Sequence, residues 1–331
     1  MERQLTIDVL VTPADRHAAL GQDVRAGLSA TPKYLPPVWF YDEAGSLLFD
    51  EITRLPEYYL TRAESSILTG QAAEIARITG ADTLVEIGSG TSEKTRLLLD
   101  AMADRGSLNG IVLLDISEEV LTEAAATLSA RYQVEVHAVV DDFRDGLLKL
   151  PSKGNRLWAF LGSTIGNFPP EDRLSLLADF RTATAPGDYF LLGTDLVKSP
   201  RRLVAAYDDA EGITAAFNRN VLSVLNRELA AEFDPDAFDH RAVWNADESW
   251  IEMRLRSRIQ QSVEVRELAL TVELDEGEEI LTEISCKFEP ERLGAELATA
   301  GLHTVCRWVD EGGDFLVSLA QPSGAAPSAG V

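Results

Sequence analysis

The chain has 331 residues, enough for about two domains with a sizeable core, and its 45% hydrophobic and 25% charged residues are those of an ordinary globular protein. Lys and Arg number 30 against 54 Asp and Glu, a formal net charge of −24 spread along the chain, which argues against nucleic acid and anionic membranes as partners. Cys286 and Cys306 are too few for a disulfide framework, no Cys/His cluster has metal-ligand spacing, and neither a signal peptide nor a membrane-length apolar run is found, so the reading is a cytoplasmic protein without a metal site.

In chain order, residues 15–61 are rich in aromatics and prolines and do not alternate helix with strand. From 62 to 195 they do: helix 62–79, strand 83–87, helix 92–103, strand 111–114, helix 117–131, strand 134–140, strand 157–161, helix 170–184 and strand 188–193. Such alternation implies an α/β fold with a doubly wound parallel sheet. A long helical stretch over 199–231 follows, then strand-like segments at 240–259 and 262–274, a block that reads as an inserted second domain. Sheet-type sequence resumes at Leu281–Phe288, with a helix from Pro290 to Ala300 and strands near 303–309 and 314–320 that complete the first sheet. The expected organisation is one domain from 62–195 plus 287–320, a second from 15–61 plus 196–286 packed over the cofactor, and a disordered tail over 321–331.

The chemistry concentrates where strands end. Leu84, Val85 and Ile87 read as a buried strand that runs into Gly88-Ser-Gly90, a turn that lets backbone approach a ligand closely. A dinucleotide fingerprint would place a third glycine where Glu93 stands. Glu93, with Glu86 ahead of the turn, would repel a pyrophosphate, and a cationic, phosphate-free ligand such as S-adenosylmethionine suits the loop better. Asp115 ends the next apolar run, placed for ribose hydroxyls, and Asp142 with Phe143 follows the run after it, placed for an adenine amino group and ring face. The bland alternative for each is an ordinary turn or a solvated strand end. Gly162–Asn167 follows the fourth strand, where a substrate amine would be received; Asn167 offers donor and acceptor, or is only a helix cap. Tyr58 and Tyr59 beside Pro56 read equally as core aromatics, and Glu283 as an exposed face or a buried carboxylate in need of a partner.

Pro36–Ser46, Phe49–Tyr59, Phe160–Asn167, Thr194–Lys198, Ala205–Asp209, Thr214–Asn220 and Leu281–Phe288 together resemble the histidine-specific methyltransferase family over residues 20–320. Its bacterial members include the histidine Nα-methyltransferase that opens ergothioneine synthesis, and the likeness looks close to the actinobacterial members. The resemblance implies a Rossmann-like class I methyltransferase sheet with a second, histidine-binding domain, and S-adenosylmethionine-dependent trimethylation of the α-amine of L-histidine to hercynine. It implies Tyr58, Asn167 and Tyr207 at the substrate's carboxylate and amino end, Glu283 and Ser285 at the imidazole, and Met253 and Thr214 lining the same pocket. For the cofactor it implies Gly88, Lys94, Asp115, Asp142 and Phe143, with Gly162 and Ser163 close to the reacting amine, so that Asn167, Tyr58 and Gly162 carry the catalytic role.

Other functions are a methyltransferase for another small amine or amino acid, a non-catalytic cofactor-binding module, and a nicotinamide oxidoreductase. The first differs only in pocket residues; Tyr58, Asn167 and Glu283 speak against the second, and Glu93 against the third. The small molecule L-histidine is the expected partner of a monomer.

Overall fold

The structure is a computed structural model that describes residues 5–89, 92 and 94–323, so the reading of Glu93 falls outside the described residues. Its strands are β1 (Leu5–Val9), β2 (Lys33–Tyr34), β3 (Thr83–Ile87), β4 (Gly110–Asp115), β5 (Glu135–Val140), β6 (Arg156–Phe160), β7 (Tyr189–Asp195), β8 (Phe238–Asn245), β9 (Trp250–Ser257), β10 (Gln261–Val265), β11 (Leu270–Leu274), β12 (Glu279–Cys286), β13 (Leu302–Val309) and β14 (Phe315–Pro322). Its helices are α1 (Pro13–Leu28), α2 (Glu43–Ile52), α3 (Leu60–Thr79), α4 (Thr95–Asp104), α5 (Glu118–Tyr132), α6 (Phe143–Gly146), α7 (Pro170–Ala183), α8 (Pro200–Tyr207), α9 (Ile213–Leu229) and α10 (Pro290–Thr299). No helix among the described residues is long and apolar enough to cross a membrane.

The chain divides into two compact units, one drawn from Met1–Val11, Arg62–Val197 and Phe288–Val331, the other from Thr12–Thr61 and Lys198–Lys287. The first is built on an eight-stranded sheet in the order β1-β5-β4-β3-β6-β7-β14-β13. Strands β1, β5, β4, β3, β6 and β7 are parallel, and β14 and β13 close the edge antiparallel. This is the expected Rossmann-like α/β sheet. β3 and β6 are buried at every position, as strands covered by helices on both faces must be, and that is why they read as continuous apolar runs. Chain order reverses at β3, which has β4 on one side and β6 on the other, so the crevice beyond its carboxyl end is a topological switch point where such sheets take ligands.

Three local features differ from the sequence reading. Leu5–Val9 adds a parallel edge strand beside β5 that the reading left out; three of its five residues are exposed, so it has little apolar pattern. The single helical stretch expected over 199–231 is two helices, because the Asp209 carboxylate accepts from the Ile213 and Thr214 N–H groups and starts α9 afresh after α8. Strand β14 runs on through Gln321 and Pro322, the first two residues read as tail, while residues 324–331 lie outside the described ones.

The second unit carries a four-stranded sheet, β2-β12-β9-β8, and the β10–β11 hairpin. Phe40, Tyr41, Phe49 and Phe217 form an aromatic cluster with ring centroids 4.7 to 5.9 Å apart, which ties α2 and the turn before it to α9.

Candidate functional site

In the first unit the residues of interest follow the carboxyl ends of neighbouring parallel strands, whose last residues stand in register: Ile87 beside Leu114 and Phe160, Asp115 beside Val140. Gly88 leaves β3 at φ +67° and donates its N–H to Leu114 O at 2.8 Å; a side chain would be strained there, and the space a Cβ would take is open. Asp115 is partly exposed at the end of β4, with Oδ1 accepting from the Ser117 N–H at 2.9 Å. Asp142 caps α6 through the Arg144 N–H and also binds the Arg144 guanidinium, while the Phe143 ring stands edge-on to Phe160 and Phe168, 5.5 and 5.9 Å between centroids.

Glu86 lies one residue before the end of β3 and is fully inside. Burial is the largest influence on its carboxyl and pushes it up to about 7, against the hydroxyls of Ser92 and Thr95 that donate to it and the charge of Lys94; nearby Asp115 pushes the same way as burial. Near neutral pH Glu86 is therefore only partly ionised and is satisfied from within, and the acid that the described turn presents is Asp115 at the end of β4. That fits a cationic, phosphate-free ligand such as S-adenosylmethionine and not a pyrophosphate, with Gly88 for close approach and Asp115 for hydroxyl donors.

Lys94 stands in an ion pair with Glu64, a wholly buried residue of α3. Glu64 also accepts from the Gly162 N–H at 2.9 and 3.0 Å, and it packs so closely on Gly193 that no Cβ fits there. Lys94, expected at the cofactor, and Gly162, expected close to the reacting amine, are thus held by one buried carboxylate, which sequence alone did not single out. Ser163 is buried, and its Oγ accepts from the Asp195 N–H at 3.0 Å; Asn167 ends the short turn 164–167, half-buried.

The second unit gathers most of the substrate residues named from the sequence. The rings of Tyr58 and Tyr207 meet edge-on at 6.2 Å, and Tyr58 also meets Phe49 at 6.2 Å. Tyr207 Oη lies 2.8 Å from Ser285 Oγ. On β12, Glu283 and Ser285 share a face by the two-residue alternation of a strand, and Met253 on β9 stands opposite Glu283 in the ladder. Thr214 is buried at the start of α9, its N–H held by Asp209 at 2.7 Å.

Glu283 is 9% exposed, and burial pushes its carboxyl up to about 7 against the charge of Lys287. No donor among the described residues forms a hydrogen bond with it. A buried carboxylate with unused lone pairs is costly unless a ligand supplies the donor. Lys287 continues the same face of β12 and is itself buried; its Nζ donates to Ser285 Oγ and to Tyr207 Oη, both at 2.8 Å, with the ammonium 4.5 Å from the Tyr207 ring centroid.

A family model described as histidine-specific methyltransferase, SAM-dependent, matches residues 20–322. The chain belongs to the histidine-specific, S-adenosylmethionine-dependent methyltransferases. It is 57% identical over 305 residues to the histidine N-alpha-methyltransferase of Mycobacterium tuberculosis, covering 92% of this chain and 95% of that protein. It is 58% identical over 303 residues to the protein of the same name from Mycolicibacterium smegmatis, covering 91% and 94%. A more distant relative, the ergothioneine biosynthesis protein 1 of Neurospora crassa, is 33% identical over 285 residues, which is 84% of this methyltransferase but 32% of the fungal protein.

Two residues in this methyltransferase sites were not legible beforehand. Glu64 has no strand-end or glycine-turn signal, being one polar residue of an amphipathic helix. Lys287 had one, the alternation 283, 285, 287, but a lysine in sequence reads as exposed.

Proposed function

We propose that this methyltransferase trimethylates the α-amine of L-histidine to hercynine, the first step of ergothioneine biosynthesis, and that it works as a cytoplasmic monomer on a small molecule with no nucleic-acid or membrane partner. The observation that carries the histidine reading is Glu283, a buried carboxylate without an internal hydrogen-bond donor, beside Ser285 on the same strand face. An imidazole N–H supplies the missing donor, and an apolar side chain would strand the charge. The relatives named for histidine N-alpha-methylation support the same reading at high identity over nearly all their length.

S-adenosylmethionine supplies an electrophilic methyl group when bound, and Gly88, Lys94, Asp115, Asp142 and Phe143 are the residues assigned to hold it. The chain's own share of catalysis is positioning and exclusion of water. Tyr58, Tyr207 and Asn167 hold the carboxylate and amino end of histidine, with Thr214 and Met253 shaping the pocket; Gly162, fixed by Glu64, belongs to the loop at the amine. The amine must be neutral to attack, and model α-amines titrate near about 7.7 to 8.0, so a proton leaves before each transfer; release to water suffices, with no dedicated base.

Mass spectrometry of histidine incubated with the enzyme and S-adenosylmethionine tests the reading. Products heavier by one, two and three methyl groups are expected; unchanged histidine, with another amino acid or amine methylated instead, would replace it with the nearest alternative.

A further inference from the structure

Asn218 of α9 is wholly buried and touches three strands of the second unit's sheet. Its Oδ1 accepts from Thr282 Oγ1 of β12 at 2.7 Å. Its Nδ2 lies 2.8 Å from Nδ1 of His240 on β8 and 3.2 Å from the carbonyl oxygen of Arg254 on β9. His240 Nε2 in turn lies 2.8 Å from the carbonyl oxygen of Tyr207, the last residue of α8. Two of these carbonyls fix every direction in the chain, because a carbonyl oxygen only accepts. Arg254 O requires the amide NH2 on its side, which leaves Asn218 Oδ1 for the Thr282 proton and makes His240 Nδ1 an acceptor. Tyr207 O requires the imidazole proton on Nε2. His240 is therefore a neutral ring in one tautomer, with its side chain 2% exposed. Burial, the largest influence, holds it below the ordinary histidine range, with Arg219 acting the same way and the Tyr207 carbonyl, Asp208 and Asp209 against.

Thr282 is the extra residue where the ladder of β12 slips against β9: Leu281 stands opposite Arg254, and Glu283 opposite Met253. A bulge of this kind re-aims the side chains that follow it. Ile280 and Thr282 are buried ahead of Glu283, and Glu283 and Ser285 after the slip, so the buried set moves from even to odd positions. Thr282 Oγ1 also lies 2.9 Å from the Met253 carbonyl oxygen, which ties the bulge to the strand it slips against. We propose that Asn218 is a positioning residue for histidine: through Thr282 it holds the bulge that aims Glu283, and through His240 it holds the backbone of Tyr207. One buried chain then sets the spacing between the imidazole end and the amino-acid end of the substrate site. The inference rests on the histidine reading and deepens it, because it names residues that reach the substrate only through Glu283 and Tyr207.

The test uses the full-length enzyme with S-adenosylhomocysteine, to prevent turnover, and calorimetric titration with histidine. Thr282→Val keeps the shape of the side chain and leaves the buried Asn218 amide oxygen without its donor. Histidine should then bind about 5- to 150-fold more weakly, the range for a stranded buried polar group, while S-adenosylhomocysteine affinity is unchanged. Thr282→Ser, which keeps the hydroxyl, should recover most of the loss. A residue that only stabilised the fold would leave the histidine affinity of the folded enzyme alone. In wild type with 15N-labelled histidine residues, the ring resonances lost in His240→Gln should be one pyrrole-type, Nε2, and one pyridine-type, Nδ1, at pH 7.5. Should Thr282→Val not fold, His240→Gln, which cuts the chain on the other side of Asn218, carries the same expectation for histidine binding. Unchanged histidine affinity, an equal loss for S-adenosylhomocysteine, a serine variant no better than the valine one, or a wild-type His240 protonated on Nδ1 overturns the proposal while leaving histidine as the substrate. A wild type that binds no histidine overturns both.

Discussion

Glu86 in the first unit and Glu283 in the second are carboxylates of the same kind in the same physical state, buried in a strand and pushed up to about 7 by loss of water. Their surroundings differ. Glu86 already receives the hydroxyls of Ser92 and Thr95, both from the turn and helix that follow its own strand. Glu283 receives no hydrogen bond from the described residues and has only the charge of Lys287 to favour its ionised form. A buried acid satisfied from within holds a loop in shape, whereas a buried acid left unsatisfied is set aside for a ligand.

The strongest way to break that comparison is to remove the acid on the substrate side. Sites built to hydrogen-bond a substrate group reject analogues without it by up to roughly 10⁴ to 10⁵, so phenylalanine and leucine should be very poor substrates of the wild type. Glu283→Ala should lower kcat/KM for histidine by several orders of magnitude and narrow its advantage over phenylalanine. A histidine-to-phenylalanine ratio that survives the substitution would place imidazole recognition elsewhere.

Stability against pH sharpens it further. A carboxyl raised in the folded state contributes stability that is fully present below its unfolded value of 4.5 and is lost as pH rises through about 7. For each of these two residues the loss is on the order of 3 kcal/mol at most. Glu86→Gln and Glu283→Gln should therefore each gain stability over wild type on going from pH 5 to pH 8, measured by chemical denaturation. Saturating histidine should offset the Glu283 share in the wild type, because it brings the missing donor, and leave the Glu86 share in place. Equal responses of the two sites to histidine would dissolve the distinction.

Asp115→Ala should weaken S-adenosylmethionine and S-adenosylhomocysteine alike by roughly 1.5 to 3 kcal/mol, the range for hydrogen bonds to a charged group, as read by calorimetry. Unchanged affinity for both would remove the ribose assignment. The smallest effect is expected at Tyr58→Phe, which should cost about 0.5 to 1.5 kcal/mol on every amino acid tested and leave the histidine-to-phenylalanine ratio alone, because Tyr58 is assigned to the end that all amino acids share. A shift in that ratio would move Tyr58 to the side-chain end of the pocket.

Much of this protein was legible in the sequence, for a local reason. Strands β3, β4, β6 and β7 are buried on both faces, and β5 over its carboxyl half, so they advertise themselves as apolar runs, and the glycine turn and the acids after them follow from neighbours along the chain. Only tertiary structure decided the rest. β1 is a half-exposed edge strand recognisable by its pairing with β5, some 130 residues away in register, Leu5 beside Val136. The break between α8 and α9 depends on where the Asp209 side chain turns. Glu64 owes its role to backbone and side chain from two other loops, and Lys287 to a tyrosine 80 residues upstream. Sequence shows which residues can bear charge or hydrogen bonds; whether water is removed from them, and which partner then answers, is set by elements that meet only in the folded chain.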